Sequence, residues 1–231
     1  MKRVFITGGG GCLGRHLIDY LLSRNYIVNA PSSNDCNILN EDVLKTNIKE
    51  FNPDIVIHSA AFVDSIGCEN DINKALNVNV IGTINVVKAC LGISCKFVYI
   101  SSEYVFGGSK GHYTINDRLD PCNIYGKTKA SAEYIVSVLR NYQIIRAPFI
   151  GKIHKKAFTD QYCSRFFIDD IIEKIVNNIM NNSDKIIHIS SERMSLYETY
   201  IRRGIVCEPI VIPTELIHIL PIDTSLVNSS I

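Results

Sequence analysis

The sequence predicts an α/β fold built on a doubly wound parallel sheet, with a small, shortened C-terminal lobe. Apolar strands alternate with helical stretches along most of the 231 residues, a pattern typical of a parallel sheet with helices on both faces. The first strand also runs directly into a glycine-rich turn that opens a helix. Right-handed crossovers complete such a sheet and place ligands at the carboxyl ends of its strands.

Short apolar runs and helical periodicity define the expected elements. The strands are predicted at Arg3–Thr7, Ile27–Ala30, Asp54–Ser59, Lys96–Ser101, Gln143–Ala147 and Lys185–Ser190. The helices are predicted at Leu13–Arg24, Glu41–Phe51, Ile72–Leu91, Tyr125–Arg140 and Asp169–Asn181. The isoleucines of the last helix recur at helical spacing and are therefore expected in the core.

The alternation loosens near Pro148, which suggests two units. We expect a dinucleotide-binding domain at residues 1–147 and an abbreviated substrate lobe at residues 148–231, with elements that return to the sheet.

The composition excludes several classes of partner. The net charge is +1, so no general attraction to nucleic acid is expected. No apolar run reaches the roughly 18 residues that a membrane span needs, and the apolar start of the chain is too short for a signal peptide. We therefore expect a cytoplasmic protein without a membrane partner.

The eight cysteines and six histidines do not suggest a metal site. They include no C-x-x-C pair and no histidine at ligand spacing. The cysteines are expected to be free thiols that behave as small apolar residues, and His58 is expected to be a hydrogen-bonded core residue.

Three of the five glycines that follow the first strand have the spacing Gly8-x-x-Gly11-x-x-Gly14. A glycine-rich turn between a strand and a helix lets backbone N–H groups approach a pyrophosphate. The spacing is wider than the usual G-x-G-x-x-G, but the position in the first βαβ unit is the context that a Rossmann dinucleotide site requires.

Tyr125 and Lys129 lie one helical turn apart on one face of a predicted helix. A free phenol has a pKa near ~10, and a nearby ammonium is expected to lower it. Tyr125 could then exchange a proton with a carbonyl oxygen. Ser102 follows the preceding strand and would bring a hydroxyl to the same edge of the sheet.

These motifs resemble the extended short-chain dehydrogenase/reductases, and within them the dTDP-4-dehydrorhamnose reductase family. The resemblance covers residues 1–147 without interruption and is patchy afterwards. Its segments are T-G-G-G-G-C-L-G-R (7–15), D-C-N-I (35–38), P-D-I-V-I-H-S-A-A (53–61), N-V-I-G-T (79–83), Y-I-S-S-E-Y-V-F-G-G (99–108), P-C-N-I-Y-G-K-T-K (121–129) and P-I-D-T-S-L (221–226).

The resemblance implies a role for each matching position. Tyr125 would donate the proton, Lys129 would tune it and hold the nicotinamide ribose, and Ser102 would polarise the keto oxygen. Tyr104 and Phe149 would contact the sugar. The other implied cofactor-binding residues are Gly8, Gly11, Cys12, Leu13, Arg15, Asp35, Cys36, Ala60, Ala61 and Phe62. Asn79 is compatible with a structural role or a functional one.

The chain also departs from the family pattern. Glu103 replaces the usual Asp before Tyr-Val-Phe, and Cys163-Ser164-Arg165-Phe166 stands where a Gly-x-Pro-Thr stretch is expected. Much of the segment before Asp160-Gln161 that normally builds the substrate lobe is missing.

The cofactor is expected to be NADP(H), with NAD(H) as a second choice. No carboxylate that would select the free ribose hydroxyls of NAD precedes Asp35 in the segment after the second strand, and Arg15 is close enough to attract a 2′-phosphate.

The leading hypothesis is an NAD(P)H-dependent reductase of a 4-keto-6-deoxy sugar nucleotide. A nucleotide-sugar epimerase or dehydratase is a second hypothesis, since such enzymes share the Tyr/Lys pair but retain their cofactor. A non-catalytic regulatory subunit is the third, because the β subunit of methionine adenosyltransferase resembles the same family. The resemblance also leaves a homodimer open.

Overall fold

A computed structural model of the chain describes residues 1–181 and 183–229. The strands are β1 (Arg3–Thr7), β2 (Ile27–Asn29), β3 (Ile55–His58), β4 (Lys96–Ser101), β5 (Tyr142–Arg146), β6 (Phe149–Ile150), β7 (Lys156–Phe158), β8 (Tyr162–Cys163), β9 (Phe166–Phe167), β10 (Ile186–His188), β11 (Met194–Ser195) and β12 (Glu208–Ile210). The α-helices are α1 (Cys12–Ser23), α2 (Glu41–Phe51), α3 (Ser65–Asn70), α4 (Ile72–Leu76), α5 (Gly82–Cys90), α6 (Ile124–Val136), α7 (Ile168–Asn181) and α8 (Leu196–Arg202). One π turn lies at Asn77–Ile81, and two 3₁₀ turns lie at Glu103–Val105 and Thr214–Leu216.

Six strands form one parallel sheet in the order β10-β5-β4-β3-β1-β2. The strand β1 pairs with β2 on one side and with β3 on the other. The chain therefore reverses its winding direction at β1, and this reversal opens a crevice at the carboxyl ends of β1 and β3. The predicted doubly wound α/β fold is confirmed.

The predicted strands match the observed ones to within two residues, and α1, α2 and α7 match equally well. The helix predicted at Ile72–Leu91 is present as a continuous helical segment over residues 72–90, but the π turn interrupts its α-helical hydrogen bonding. Within that turn, the buried Asn79 side chain donates to Phe62 O at 3.0 Å and accepts from Phe62 N at 2.7 Å. The helix therefore widens at the point where Asn79 holds the loop after β3 through the backbone of Phe62. This pair of hydrogen bonds favours a structural role for Asn79.

The helix predicted at Tyr125–Arg140 is too long, since α6 ends at Val136. Beyond it, Ser137 Oγ donates to Tyr134 O at 2.8 Å. A serine hydroxyl that binds a nearby carbonyl competes with continued helix.

The two faces of the sheet carry separate cores. One face packs against α1 and α7 and contains the isoleucine stripe of α7, of which Ile171 and Ile175 are fully buried. The other face packs against α2, α5 and α6 and includes Phe5, Phe97 and Tyr99. Both faces are thus covered, as a parallel sheet requires.

The C-terminal part of the chain returns to the sheet through β10 and otherwise forms three small ladders, β6–β9, β7–β12 and β8–β11. The division into residues 1–147 and 148–231 stays a prediction, and residues 182, 230 and 231 of that range lie outside the described residues. Within the part of the chain that the structure describes, no helix has the length and apolar character that crossing a bilayer would need.

A buried ion pair connects α6 to the sheet. Arg146, the last residue of β5, donates from Nη2 and Nε to the two carboxylate oxygens of Glu133 at 2.7 and 3.0 Å. Both side chains are at most 4% exposed. Arg146 Nη1 also lies 3.2 Å from His188 Nε2, and burial together with the Arg146 charge lowers the pKa of His188 to about 4. His188 is therefore a neutral hydrogen-bonding partner at pH 7.

We expect Arg146→Met to lower the free energy of unfolding by about 3–5 kcal/mol, because it leaves the buried Glu133 carboxylate unpaired. Urea unfolding followed by circular dichroism measures the change. The matched control is Lys156→Met, which removes an exposed cation that pairs with Glu208 at 3.1 Å and should change the stability little. Equal losses in the two variants would contradict this account of the Arg146–Glu133 pair.

Candidate active site

The glycine-rich turn allows a very close approach between β1 and α1. Gly8 has a φ of +76°, and a Cβ on Gly14 would lie 2.2 Å from Gly8 O. Any larger side chain at Gly14 would therefore push α1 away from the turn. The start of α1 and the turn after β1 therefore pack backbone against backbone, with no room for a side chain at Gly14.

The first turn of α1 is suited to an anion. Its N-cap residue is Gly11, which offers no side-chain cap, and no acidic residue lies in the first turn. Backbone N–H groups at such a helix start attract negative charge. Of the implied cofactor residues, Gly11, Cys12 and Leu13 line the cavity in front of this helix start.

This cavity, which we call the strand-end cavity, has a volume of about 480 Å³ and lies at the carboxyl ends of the strands. The structure brings ten of the predicted site residues to its wall, namely Gly8, Gly11, Cys12, Leu13, Ala61, Ser102, Tyr104, Tyr125, Lys129 and Phe149. The two sequence motifs therefore meet in one place, as the fold predicts.

Five predicted cofactor residues do not line the strand-end cavity. Arg15 is exposed on the first turn of α1, and its Nε donates to Gly10 O at 3.0 Å. Asp35 is exposed and accepts from Ser32 Oγ at 2.6 Å, whereas Cys36 is buried. Ala60 and Phe62 are half-buried in the loop after β3. Their implied contacts stay predictions.

Tyr125 lies at the start of α6 and is 8% exposed. Asn123 caps this helix by accepting from Gly126 N at 2.7 Å. The Tyr125 ring meets the Tyr104 ring at 5.9 Å in an edge-on arrangement. Burial raises the pKa of Tyr125 above its ordinary value, and the negative charge of Glu103 raises it further.

The sequence-based prediction of a lowered Tyr125 pKa is wrong, because burial and the charge of Glu103 raise it. The Lys129 ammonium donates to Ile100 O at 2.6 Å and lies 4.1 Å from the centre of the Tyr99 ring. Burial lowers the pKa of Lys129 to about 7, and the charge of Glu133 opposes this decrease. Lys129 is therefore poised to change its charge near neutral pH.

Ser102 follows β4, and it lines the same cavity as Tyr125 at the strand ends, as predicted. However, the Ser102 hydroxyl donates to Glu103 Oε2 at 2.8 Å and accepts from Tyr104 N at 3.2 Å. Its single proton is therefore directed at Glu103.

A second cavity of about 570 Å³ lies beneath the C-terminal segment, and we call it the lobe cavity. Its wall carries the basic side chains of Lys152, Lys155, Lys156 and Arg165, and it carries no Asp or Glu. The two cavities share the residues Tyr104, Phe149, Gly151, Lys152 and Arg165. Lys156 and Arg165 pair with Glu208 and Glu103, so a ligand that extends from Tyr125 into the lobe cavity would meet the positive charges of Lys152 and Lys155.

The sequence identifies Glu103 and Arg165 only as departures from the family pattern, and it assigns no role to Glu133. Ser101 Oγ donates to Glu133 Oε1 at 2.5 Å, so this carboxylate joins α6 to the end of β4. The signal was present, because Tyr125, Lys129 and Glu133 follow one another at i, i+4 and i+8 on one helix face.

His58 is the core residue that the sequence predicts. It is fully buried, and its ring nitrogens lie 2.7 Å from Thr7 Oγ1 and 2.9 Å from Thr83 Oγ1. Burial lowers its pKa to about 3, so the ring is neutral at pH 7. The cysteines are free, as expected, although Cys12 is exposed.

Comparison with known proteins identifies clear relatives. The family model described as the RmlD substrate binding domain matches residues 1–178. The dTDP-4-dehydrorhamnose reductase of Mycolicibacterium smegmatis is 36% identical over 137 residues, which cover 58% of this chain and 41% of that protein. The methionine adenosyltransferase 2 subunit beta of Xenopus laevis is 32% identical over 165 residues, which cover 67% of this chain and 49% of that protein.

A solved structure resembles the whole fold. The crystal structure of dTDP-4-dehydrorhamnose reductase from Bacillus anthracis in complex with NADP superimposes with a TM-score of 0.88 at 25% identity, and the match covers 99% of this chain and 91% of that one. The two curated relatives above, in contrast, are matched over only about half of their length or less.

We expect Glu133→Gln to lower the pKa of Lys129 below its value of about 7. The reason is that the carboxylate that favours the ammonium form has been replaced by a neutral amide. An NMR titration of ¹³C-labelled lysine side chains measures this pKa directly. Ser101→Ala is the control, because it removes a hydrogen bond to Glu133 and leaves its charge in place. An unchanged Lys129 titration in Glu133→Gln would refute this electrostatic coupling.

Proposed function

We propose that this chain, which belongs to the RmlD substrate binding domain family, is an NADPH-dependent reductase of a 4-keto-6-deoxy sugar nucleotide. The observation that carries the proposal is the meeting of the glycine-rich turn with Ser102, Tyr125 and Lys129 around one cavity. The reductase names of the relatives from Mycolicibacterium smegmatis and Bacillus anthracis support the same reaction.

The strand-end cavity fits a dinucleotide. The uncapped start of α1 receives the pyrophosphate, and the close packing of Gly8 against Gly14 leaves the backbone exposed to it. When it is bound, the reduced nicotinamide supplies a hydride to the carbonyl carbon of the substrate. Lys129 holds the nicotinamide ribose from α6.

The other half of the reaction is a proton transfer. Tyr125 Oη donates its proton to the carbonyl oxygen, so the ketone gains one hydride and one proton and becomes an alcohol. The raised pKa of Tyr125 keeps the phenol protonated at neutral pH, which is the state from which a proton donor starts. Ser102 polarises the same oxygen through its hydroxyl.

The lobe cavity supports a substrate that carries phosphate groups. Lys152 lines both cavities, and Lys155 lines the lobe cavity. Phosphate oxygens pair well with such cations. Phe149 and Tyr104 form an aromatic wall between the reacting centre and this positive region, where the sugar ring would lie.

A non-catalytic, NADP-binding regulatory subunit is the second candidate. The relation to the methionine adenosyltransferase 2 subunit beta favours it. A reductase turns over and releases its cofactor, whereas a regulatory subunit binds the cofactor without turnover.

We expect Tyr125→Phe to lower kcat about 10²- to 10⁴-fold, because the proton donor is lost while the aromatic packing remains. The assay follows NADPH oxidation at 340 nm with a dTDP-4-keto-6-deoxy sugar as the acceptor. Tyr134→Phe, an exposed tyrosine on the same helix, should retain full turnover. Turnover that survives Tyr125→Phe would exclude Tyr125 as the proton donor, and cofactor binding without any turnover by the unmodified chain would favour the regulatory subunit.

We expect Arg15→Gln to raise the KM for NADPH about two- to fivefold and to leave the KM for NADH unchanged. An exposed cation near a phosphate contributes about 0.5–1 kcal/mol, and only NADPH carries the 2′-phosphate. The two cofactors are compared in the same assay. Arg24→Gln, at the other end of α1, is the control. A parallel change in both KM values would remove Arg15 from the choice of cofactor.

A further inference from the structure

Two departures from the family pattern meet in the structure. Glu103 and Arg165 are 62 residues apart in sequence, yet Arg165 Nε and Nη2 donate to Glu103 Oε1 at 3.2 and 3.1 Å. The two side chains are 7% and 14% exposed, respectively. Glu103, which is longer than the Asp of the family pattern, thus has Arg165 from the segment between β8 and β9 as its hydrogen-bonded cation.

The second oxygen of this carboxylate competes with the substrate for the Ser102 proton. Ser102 has only one hydroxyl proton, and it donates that proton to Glu103 Oε2 at 2.8 Å. A hydroxyl that polarises a carbonyl oxygen must aim its proton at that oxygen. Ser102 can therefore act on the substrate only when Glu103 holds the proton weakly.

The charge of Glu103 also acts on Tyr125, whose pKa it raises in addition to the effect of burial. The charge of Glu103 acts on Tyr104 on its own turn, on Tyr125 on α6, and on Cys163 and Arg165 on the lobe. Lys129 and Lys152 line the same cavity as Glu103, but Arg165 is the cation that donates hydrogen bonds to its carboxylate. Without Arg165, the unpaired carboxylate of Glu103 would lie close to Ser102 and Tyr125, the two residues that act on the carbonyl oxygen of the substrate.

Further hydrogen bonds hold the guanidinium of Arg165 beside Glu103. Its Nη2 also donates to the Tyr104 hydroxyl at 3.3 Å, and the same hydroxyl accepts from Gln161 Nε2 at 3.3 Å. A planar guanidinium that makes several hydrogen bonds is fixed in orientation. Arg165 lines both cavities, so the cation that pairs with Glu103 also faces the lobe cavity.

We propose that Glu103 and Arg165 are a positioning pair, in which the guanidinium neutralises Glu103 so that the Ser102 hydroxyl can turn from Glu103 to the carbonyl oxygen of the substrate. This inference rests on the proposed reductase function and adds two residues to it. The pair links the lobe to the reacting centre.

A purely structural ion pair makes a different prediction. Arg165→Met and Glu103→Gln both break the charge pairing, so a structural role predicts similar losses of stability and of turnover. In the positioning role the two variants differ, because only Arg165→Met leaves a negative charge beside Ser102 and Tyr125. Glutamine keeps the shape of Glu103 and a weaker acceptor for Ser102.

The test measures kcat and KM for NADPH and for the sugar nucleotide in Arg165→Met, Glu103→Gln, the double variant and Arg165→Lys. Thermal unfolding identifies a temperature at which every variant is folded. We expect Arg165→Met to lower kcat at least about tenfold more than Glu103→Gln, with little change in the KM for NADPH. The effect should be smaller than the roughly 10²- to 10³-fold loss on removal of an oxyanion donor, because the Ser102 hydroxyl is still present. Adding Glu103→Gln to Arg165→Met should recover most of the kcat that Arg165→Met loses, and Arg165→Lys should retain more turnover than Arg165→Met.

Arg202→Met is the control for loss of an arginine, since Arg202 is exposed and pairs with Glu192. Equal kcat values in Arg165→Met and Glu103→Gln would overturn the inference. A rise in the KM for the sugar nucleotide at unchanged kcat would also overturn it and make Arg165 a substrate contact instead. If the unmodified chain shows no turnover, the proposed function fails and this inference fails with it. If the chain turns over normally and Arg165→Met does as well, only the inference fails.

Discussion

The close approach of α6 to the turn after β4 is the constraint on which the site depends. A Cβ on Gly126 would lie 2.0 Å from Tyr104 O, so the helix can reach this turn only with glycine at that position. Tyr125 directly precedes Gly126, Ser102 lies two residues before Tyr104, and both Tyr125 and Ser102 line the strand-end cavity. The sequence segment Tyr-Gly-Lys is therefore one unit, in which glycine sets the distance and its neighbours supply the chemistry.

The site also contains buried charges. Removing these charges from water is unfavourable, and their interactions with one another offset this cost. Lys129, Glu133 and Arg146 are all nearly fully buried, and an isolated buried charge is strongly unfavourable. Glu133 lies between the two cations and also accepts from Ser101. This arrangement keeps Lys129 close to its ionisation point, where burial alone would have favoured the neutral amine. A buried network of this kind confers a defined geometry more than net stability.

The sequence predicts the sheet and one half of the site well. Strands and glycines are local signals, and the rule that ligands bind at the strand ends brings Gly11 and Tyr125 together without further information. The π turn at Asn79 could not be predicted, because it depends on a hydrogen bond to Phe62, 17 residues away. The direction of the Tyr125 pKa shift could not be predicted either, because it also depends on contacts between distant segments. The neighbour at i+4 was visible in the sequence, but the depth of burial and the charge of Glu103 follow from packing between distant segments.

The C-terminal segment completes the site, although its sequence matches the family least. It supplies Arg165 to Glu103 and Gln161 to Tyr104. Its last described residues also hold the loop after β4, since Tyr113 N donates to Ser225 O at 2.8 Å and Asp223 N donates to Gly108 O at 2.9 Å. That loop continues from the turn that carries Glu103 and Tyr104. A segment that fastens the active-site loop at several points is under constraint, and the fold that includes it superimposes on the Bacillus anthracis reductase with a TM-score of 0.88 over 91% of that chain.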